Sequence, residues 1–200
     1  MKSFSQRHLL VSPVSLALLL VAASSGIAQA STVLAMELPA LTAEADTIVV
    51  AEVISAVASF EDHHRAIRTV VELRVEETWK ARGSSSARTI RIVQPGGVVG
   101  DLEMRVHGLP TFRVGERSVL FLNAHNKRHA EFGFMLTGLG QGKRTLFKNS
   151  EGELIAAPSD RSAAVRKAAS GAFQSAPQDL PLRLSDLREQ VRLLLRDQNR

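Results

Sequence analysis

The chain contains no cysteine and no tyrosine, and its aromatic complement is one tryptophan and eight phenylalanines in 200 residues. Without thiols it can form no disulfide and carry no thiol-anchored lipid, so its stability has to come from burial alone. With so few flat rings, and the phenylalanines mostly inside apolar runs, it lacks the stacking platforms that single-stranded nucleic acid requires between cations. Catalytic signatures are missing too. There is no Gly-x-Ser-x-Gly and no His-Glu-x-x-His, and the glycine run "GLGQGK" at 138–143 lacks the following Ser or Thr of a phosphate loop and sits between strand patterns, which predicts a tight hairpin. No catalytic residue and no cofactor is expected. Nor is there an uninterrupted spanning segment: the apolar run Leu9 to Ala23 is broken by Ser12, Pro13 and Ser15 and falls short of the ~20 residues needed.

What that run does fit is a secretory signal. Lys2 and Arg7 give a positive start, the apolar stretch follows, and Ala28-Gln29-Ala30 offers small residues around a cut after Ala30. The expectation is a mature protein starting at Ser31, periplasmic or secreted, and free of the membrane after cleavage. Losing Lys2 and Arg7 without any acid lowers the formal net charge from +5 to +3, a mildly basic surface that does not single out polyanions. The remaining length suits one domain with a true core, and a monomer is expected.

Residues 31–46 read as a lead-in with a short helix, Leu38, Leu41 and Ala45 sharing a face and Pro39 near the first turn. From 47 to 156 the pattern is β. Thr47 to Phe60 and Ala66 to Lys80 are rich in Val, Ile and Thr, and the second run alternates, placing Val71, Leu73, Val75 and Trp79 on one face and Glu72, Arg74 and Glu76 on the other. "RTIRIVQ" is a third strand ending at Pro95-Gly96-Gly97, and "DLEMRV" a short edge strand. Val119 to Leu122 form a run expected to be buried on both faces, and "EFGFMLTG" and "KRTLFKN" complete the set. Five or six strands with hairpin-length links predict a mainly β fold, a small antiparallel barrel. Residues 157–181, rich in Ser, Ala, Pro and Arg, predict a flexible linker. Residues 182–200 predict an amphipathic helix capped by Ser185, with a stripe of Leu184, Leu187, Val191, Leu194 and Leu195 that docks on the barrel or meets a partner.

Histidines invite a metal reading. "FEDHHRAIR" at 60–68 puts His63 and His64 between two strands, but adjacent side chains diverge there, and His107, His125 and His129 supply no recognised ligand spacing. A solvated turn is expected, with no metal site. Glu76 and Glu77, neighbours on one strand, point to opposite faces and cannot flank one bond as acid and base.

"ADTIVVAEV" at 45–53, "TVVELRVEETWK" at 69–80, "GLPTFRVGERSVLFL" at 108–122 and "TGLGQGK" at 137–143 resemble a group of uncharacterised exported bacterial proteins. Their core is similar to the netrin-like module of the tissue inhibitors of metalloproteinases. The resemblance, over roughly residues 38–148, implies an OB-type barrel that holds a ligand across one face. It does not imply inhibition, because those inhibitors use an N-terminal cysteine and several disulfides, and this chain has no cysteine. The expected function is therefore a non-enzymatic exported binding or accessory module acting on another exported protein, such as a hydrolase or protease. The alternative is an OB-type binder of nucleic acid or a polyanionic ligand, against which the scarce aromatics and the export signal both count. Contacts are expected from the loops "PGGVVGD" and "HGLPTF", with Phe112, Pro110 and Gly97 as candidates.

Overall fold

The computed structural model describes residues 33–61, 66–81, 87–124, 133–159, 165–166 and 180–198. The expectations for the signal segment, for His63, His64, His125 and His129, and for most of 157–181 lie outside these residues. A short helix, α1 (Leu38–Glu44), precedes the β region, with Pro39 in its first turn, Leu41 fully buried and the chain leaving at Ala45. The long strands are β2 (Thr47–Glu61), β3 (Ala66–Ala81), β4 (Thr89–Pro95) and β7 (Arg117–Ala124). Shorter ones are β5 (Gly97–Val99), β6 (Leu102–Met104), β8 (Phe134–Leu136), β9 (Lys143–Lys148) and β10 (Leu154–Pro158), with two-residue segments β1 (Val33–Leu34), β11 (Val165–Arg166) and β12 (Leu182–Arg183). Helix α2 (Leu184–Gln198) follows.

The fold is mainly β with a helix near each end of the described chain, as the sequence pattern predicts. The strand count is higher than the predicted five or six. Segments of two or three residues are too short to show alternation, so β1, β5, β11 and β12 leave no signal of their own. One of them, β11, falls inside the stretch predicted as linker and pairs in parallel with β1.

Pairing follows β12-β10-β9-β7-β2-β3-β4-β8. Strands β2, β3 and β4 form an antiparallel meander, and β2 also pairs antiparallel with β7. The short β8 joins two partners, β7 antiparallel and β4 in parallel through Ile92 and Phe134. The hydrogen-bonded path from β7 through β2, β3, β4 and β8 thus returns to β7.

Apolar side chains gather on both faces of the sheet. One cluster holds Val49, Ala51 and Val53 of β2, Val71 and Leu73 of β3, Ile90 and Ile92 of β4, and Leu120 and Leu122 of β7, with Phe134 and Leu136 of β8 against it. The other takes the alternate residues Ile48, Val50, Val119 and Phe121 and packs them on Leu41 of α1 and Leu184, Leu187 and Val191 of α2. The run Val119–Leu122 is fully buried on both faces, as expected. Of the predicted stripe, Leu184, Leu187 and Val191 are buried in this cluster and Leu195 packs half-buried against it, a fully buried side chain of this kind contributing about 1.5–3 kcal/mol. Ser185 is not the cap: it lies inside the first turn, its hydroxyl on the Asp186 carboxylate.

Two expectations fail for local reasons. Trp79 does not share a face with Val71 and Leu73 but packs with the helix-side cluster. The register from Ile48↔Lys80 to Val49↔Thr78 leaves Trp79 unopposed, and the step from Val50↔Glu77 to Ala51↔Val75 does the same to Glu76, so bulges interrupt the alternation. "GLGQGK" is not a hairpin either. Strands β8 and β9 pair with successive parts of β7, at Leu122 to Ala124 and Ser118 to Leu120, and a 3-10 turn at Leu139–Gly142 loops out between them. A methyl group on Gly142 would lie 2.4 Å from the Thr137 carbonyl oxygen and 2.9 Å from that of Phe121, backbone atoms that cannot step aside. Gly142→Ala is therefore expected to destabilise the fold by about 1–3 kcal/mol, read as a lowered urea midpoint with an unchanged slope, and an unaltered midpoint would contradict this placement of the turn.

Candidate functional site

Between β6 and β7 the chain crosses residues 105–116, the segment carrying "HGLPTF". Backbone pairs hold its far end to β2, since Gly115 donates to the Val53 carbonyl at 2.8 Å and Val53 donates to that of Glu116 at 2.9 Å. Gln94, at the end of β4, holds its middle by donating to the Pro110 carbonyl at 3.1 Å. The loop is therefore strapped over one end of the inner cluster, on which the half-buried Phe112 ring packs.

A buried ion pair locks it there. Lys143, the first residue of β9, is 2% exposed, and its ammonium donates to the Thr111 carbonyl at 2.5 Å, stands 2.6 Å from Glu116 Oε1 and lies 4.4 Å above the Phe112 ring. Glu116 also accepts from the Thr145 hydroxyl at 3.0 Å and the Arg113 amide at 3.2 Å. Burial alone would push the Glu116 carboxyl up, but the hydrogen bond and charge of Lys143, helped by Thr145 and the Arg113 amide, hold it below the usual carboxylate range. Burial pushes Lys143 below the ordinary lysine value against the opposing pull of Glu116. An ammonium so enclosed and so fully bonded has no path to a solute. Chemically this is a clamp.

The loop residues singled out from sequence occupy different positions. Pro110 is buried and Phe112 half-buried, whereas Gly97 packs at the start of β5 against Ala58, Ile67 and Thr69, where a side chain would clash at 2.5–2.8 Å. The exposed apolar side chains of the same loops are their neighbours: Val98 at 58%, Leu102 at 59% and Val114 at 69%. No periodicity separates these from buried residues, because each sits beside a glycine-bearing turn where the chain reverses. His107 is the one candidate histidine that is described, and it is exposed. Glu76 and Glu77 do diverge, Glu76 to Arg117 of β7 and Glu77 to Arg188 of α2, each at 2.6 Å.

Along the strands the outer wall is electrically paired: Arg68 with Glu61, Arg74 with Glu52, Arg91 with Glu72 and Arg117 with Glu76. Such exposed pairs add about 0–1 kcal/mol each to stability, but they neutralise the surface locally. Among the described residues no helix is long and apolar enough to cross a membrane. No protein-family model matches the chain, and no curated protein is significantly similar to it.

Folding lowers the Glu116 pKa, so the unfolded chain binds more protons than the folded one in the acid range. The clamp's contribution is complete above the ordinary carboxylate value and is lost as pH falls through the folded one. Lys143, also lowered, has the same sign at the alkaline end, where stability rises toward the ordinary lysine value. Glu116→Gln is expected to cost about 3 kcal/mol near pH 7, the gap narrowing as pH falls below the ordinary carboxylate range, measured by urea unfolding over a pH series. A gap that narrows nowhere in the series would show that the carboxylate charge does not hold the loop.

Proposed function

We propose that the chain is exported, cut after Ala30, and forms a small OB-like barrel of the netrin-like kind that its sequence resembles. In this reading it is a non-enzymatic accessory to another exported protein, a hydrolase or protease being the class suggested by the resemblance. The observation that supports the reading is the pairing path of five strands, with a parallel join at β4 and β8 and an antiparallel return through β7, which is compatible with a closed barrel. A barrel filled by its own side chains leaves only its wall and loops for recognition. Contact falls to the clamped loop and the β5–β6 hairpin, with Val98, Leu102 and Val114 projecting and Gly97, Pro110 and Phe112 shaping the backbone behind them.

Paired charges along the strand wall favour a protein partner over a polyanion. A chain binding phosphates through that wall would need its arginines unengaged, and four of them already meet carboxylates. Fixing the loop before encounter also lowers the ordering cost of binding, which is what a clamp such as Lys143–Glu116 provides.

The test uses tagged full-length chain recovered from the periplasmic or secreted fraction, with mass spectrometry of its N-terminus and of retained proteins. The expected result is a chain starting at Ser31 that retains one exported protein, with retention falling about tenfold or more in the V98S/L102S/V114S variant. A chain recovered from the cytoplasm with its first thirty residues intact, or equal retention by the variant, contradicts the proposal.

A further inference from the structure

Helix α2 meets β3 along an open groove of about 470 Å³ lined by Glu77, Trp79, Arg188, Arg192, Leu195 and Arg196. We propose that this groove binds an extended acidic protein segment, its carboxylates taken by Arg192 and Arg196. It shares no residue with the loop surface described above, so either can fail without the other.

The geometry supplies the register. Arg188, Arg192 and Arg196 recur at every fourth position of α2, a rise of about 6 Å per step. Alternate side chains of an extended chain are about 6.6 Å apart, so carboxylates at every second residue meet successive arginines. The protein already contains the first such contact: Glu77, on the extended strand β3, accepts from Arg188 at 2.6 Å. The other two cations are less engaged. Arg192 is 62% exposed with a loose 3.6 Å contact to Glu189, and Arg196 is exposed at the end of the helix. Like charges four residues apart destabilise a helix, so an acidic occupant relieves a repulsion already present.

A nucleic-acid strand fits the same groove less well. Trp79 is the only flat ring there, and the Arg188 guanidinium already lies over it at 5.8 Å, leaving no series of faces for bases. A phosphate backbone would also carry its charge past Glu77, whereas a peptide can place its carboxylates beyond it.

Trp79 is the chain's single tryptophan, so its emission reports on this groove alone. Full-length protein is titrated with an acetylated, amidated Glu-Ala-Glu-Leu-Glu-Ala peptide, its Gln-for-Glu counterpart, and a twelve-residue oligothymidylate. The expected result is a saturable change with the acidic peptide, at least about tenfold weaker with either other probe and after R192A/R196A, largely restored in R192K/R196K, and untouched by Arg91→Ala on the strand wall. No saturable change, equal binding by R192A/R196A, failure of the lysine variant to restore it, or tighter binding of the oligonucleotide would overturn the proposal. If the loop variant V98S/L102S/V114S loses its exported partner while R192A/R196A keeps both that partner and the peptide, the groove assignment fails and the loop surface stands.

Discussion

The first half of β2, Thr47 to Val53, and the strand β7 are buried on both faces, and the rest of the structure is arranged around that constraint. Their alternate residues serve different interiors: Val49, Ala51, Val53, Leu120 and Leu122 on one side, Ile48, Val50, Val119 and Phe121 on the other. Neither face can be left to water, since each buried side chain of this size contributes about 1.5–3 kcal/mol only while it stays covered. One side is covered by β3, β4 and β8, whose pairings bring the sheet back to β7. The other is covered by α1 and α2. With no disulfide available, these two packings carry the stability of the chain.

The same constraint determines where chemistry can occur. Interior space on both sides of the central pair is filled mainly by apolar groups, and the buried ionisable pair Lys143–Glu116 is used to hold a loop. What the core leaves over is a clamped loop and a hairpin with exposed valines and a leucine, and a groove edged by arginines where α2 crosses β3. Both sit on rigid supports, which would limit the entropy lost in the binding proposed for them.

Much of the fold could be read from residue pattern, and the exceptions have physical causes. Hydrophobicity on both faces of Val119–Leu122, the short helix around Leu41 and the leucine stripe of α2 were legible because long or periodic runs leave no alternative burial. Trp79 was misplaced because a bulge changes the parity of a strand without changing its composition. The break between β8 and β9 was invisible because a turn that leaves a strand and rejoins the same neighbour has the glycine signature of a hairpin. Lys143 is the most instructive case: a cation in a strand reads as part of the wet face, and only the three-dimensional meeting with Glu116, Thr111 and Phe112 makes its burial tolerable. The groove at Trp79 was unreadable for the same reason, since it joins β3 to a helix more than a hundred residues further along the chain.

The closed pairing path is the claim from which the interior, the clamped loop and the proposed function all follow, and its weakest link is the join of β4 to β8. In solution, NMR contacts between Ile92 and Phe134 and between Leu122 and Leu136 test it directly. The account predicts both sets in one sample, with slow amide exchange on both sides of β8. Contacts from β8 to β7 alone, with β4 exchanging as a free edge, would mean an open sheet and would contradict it.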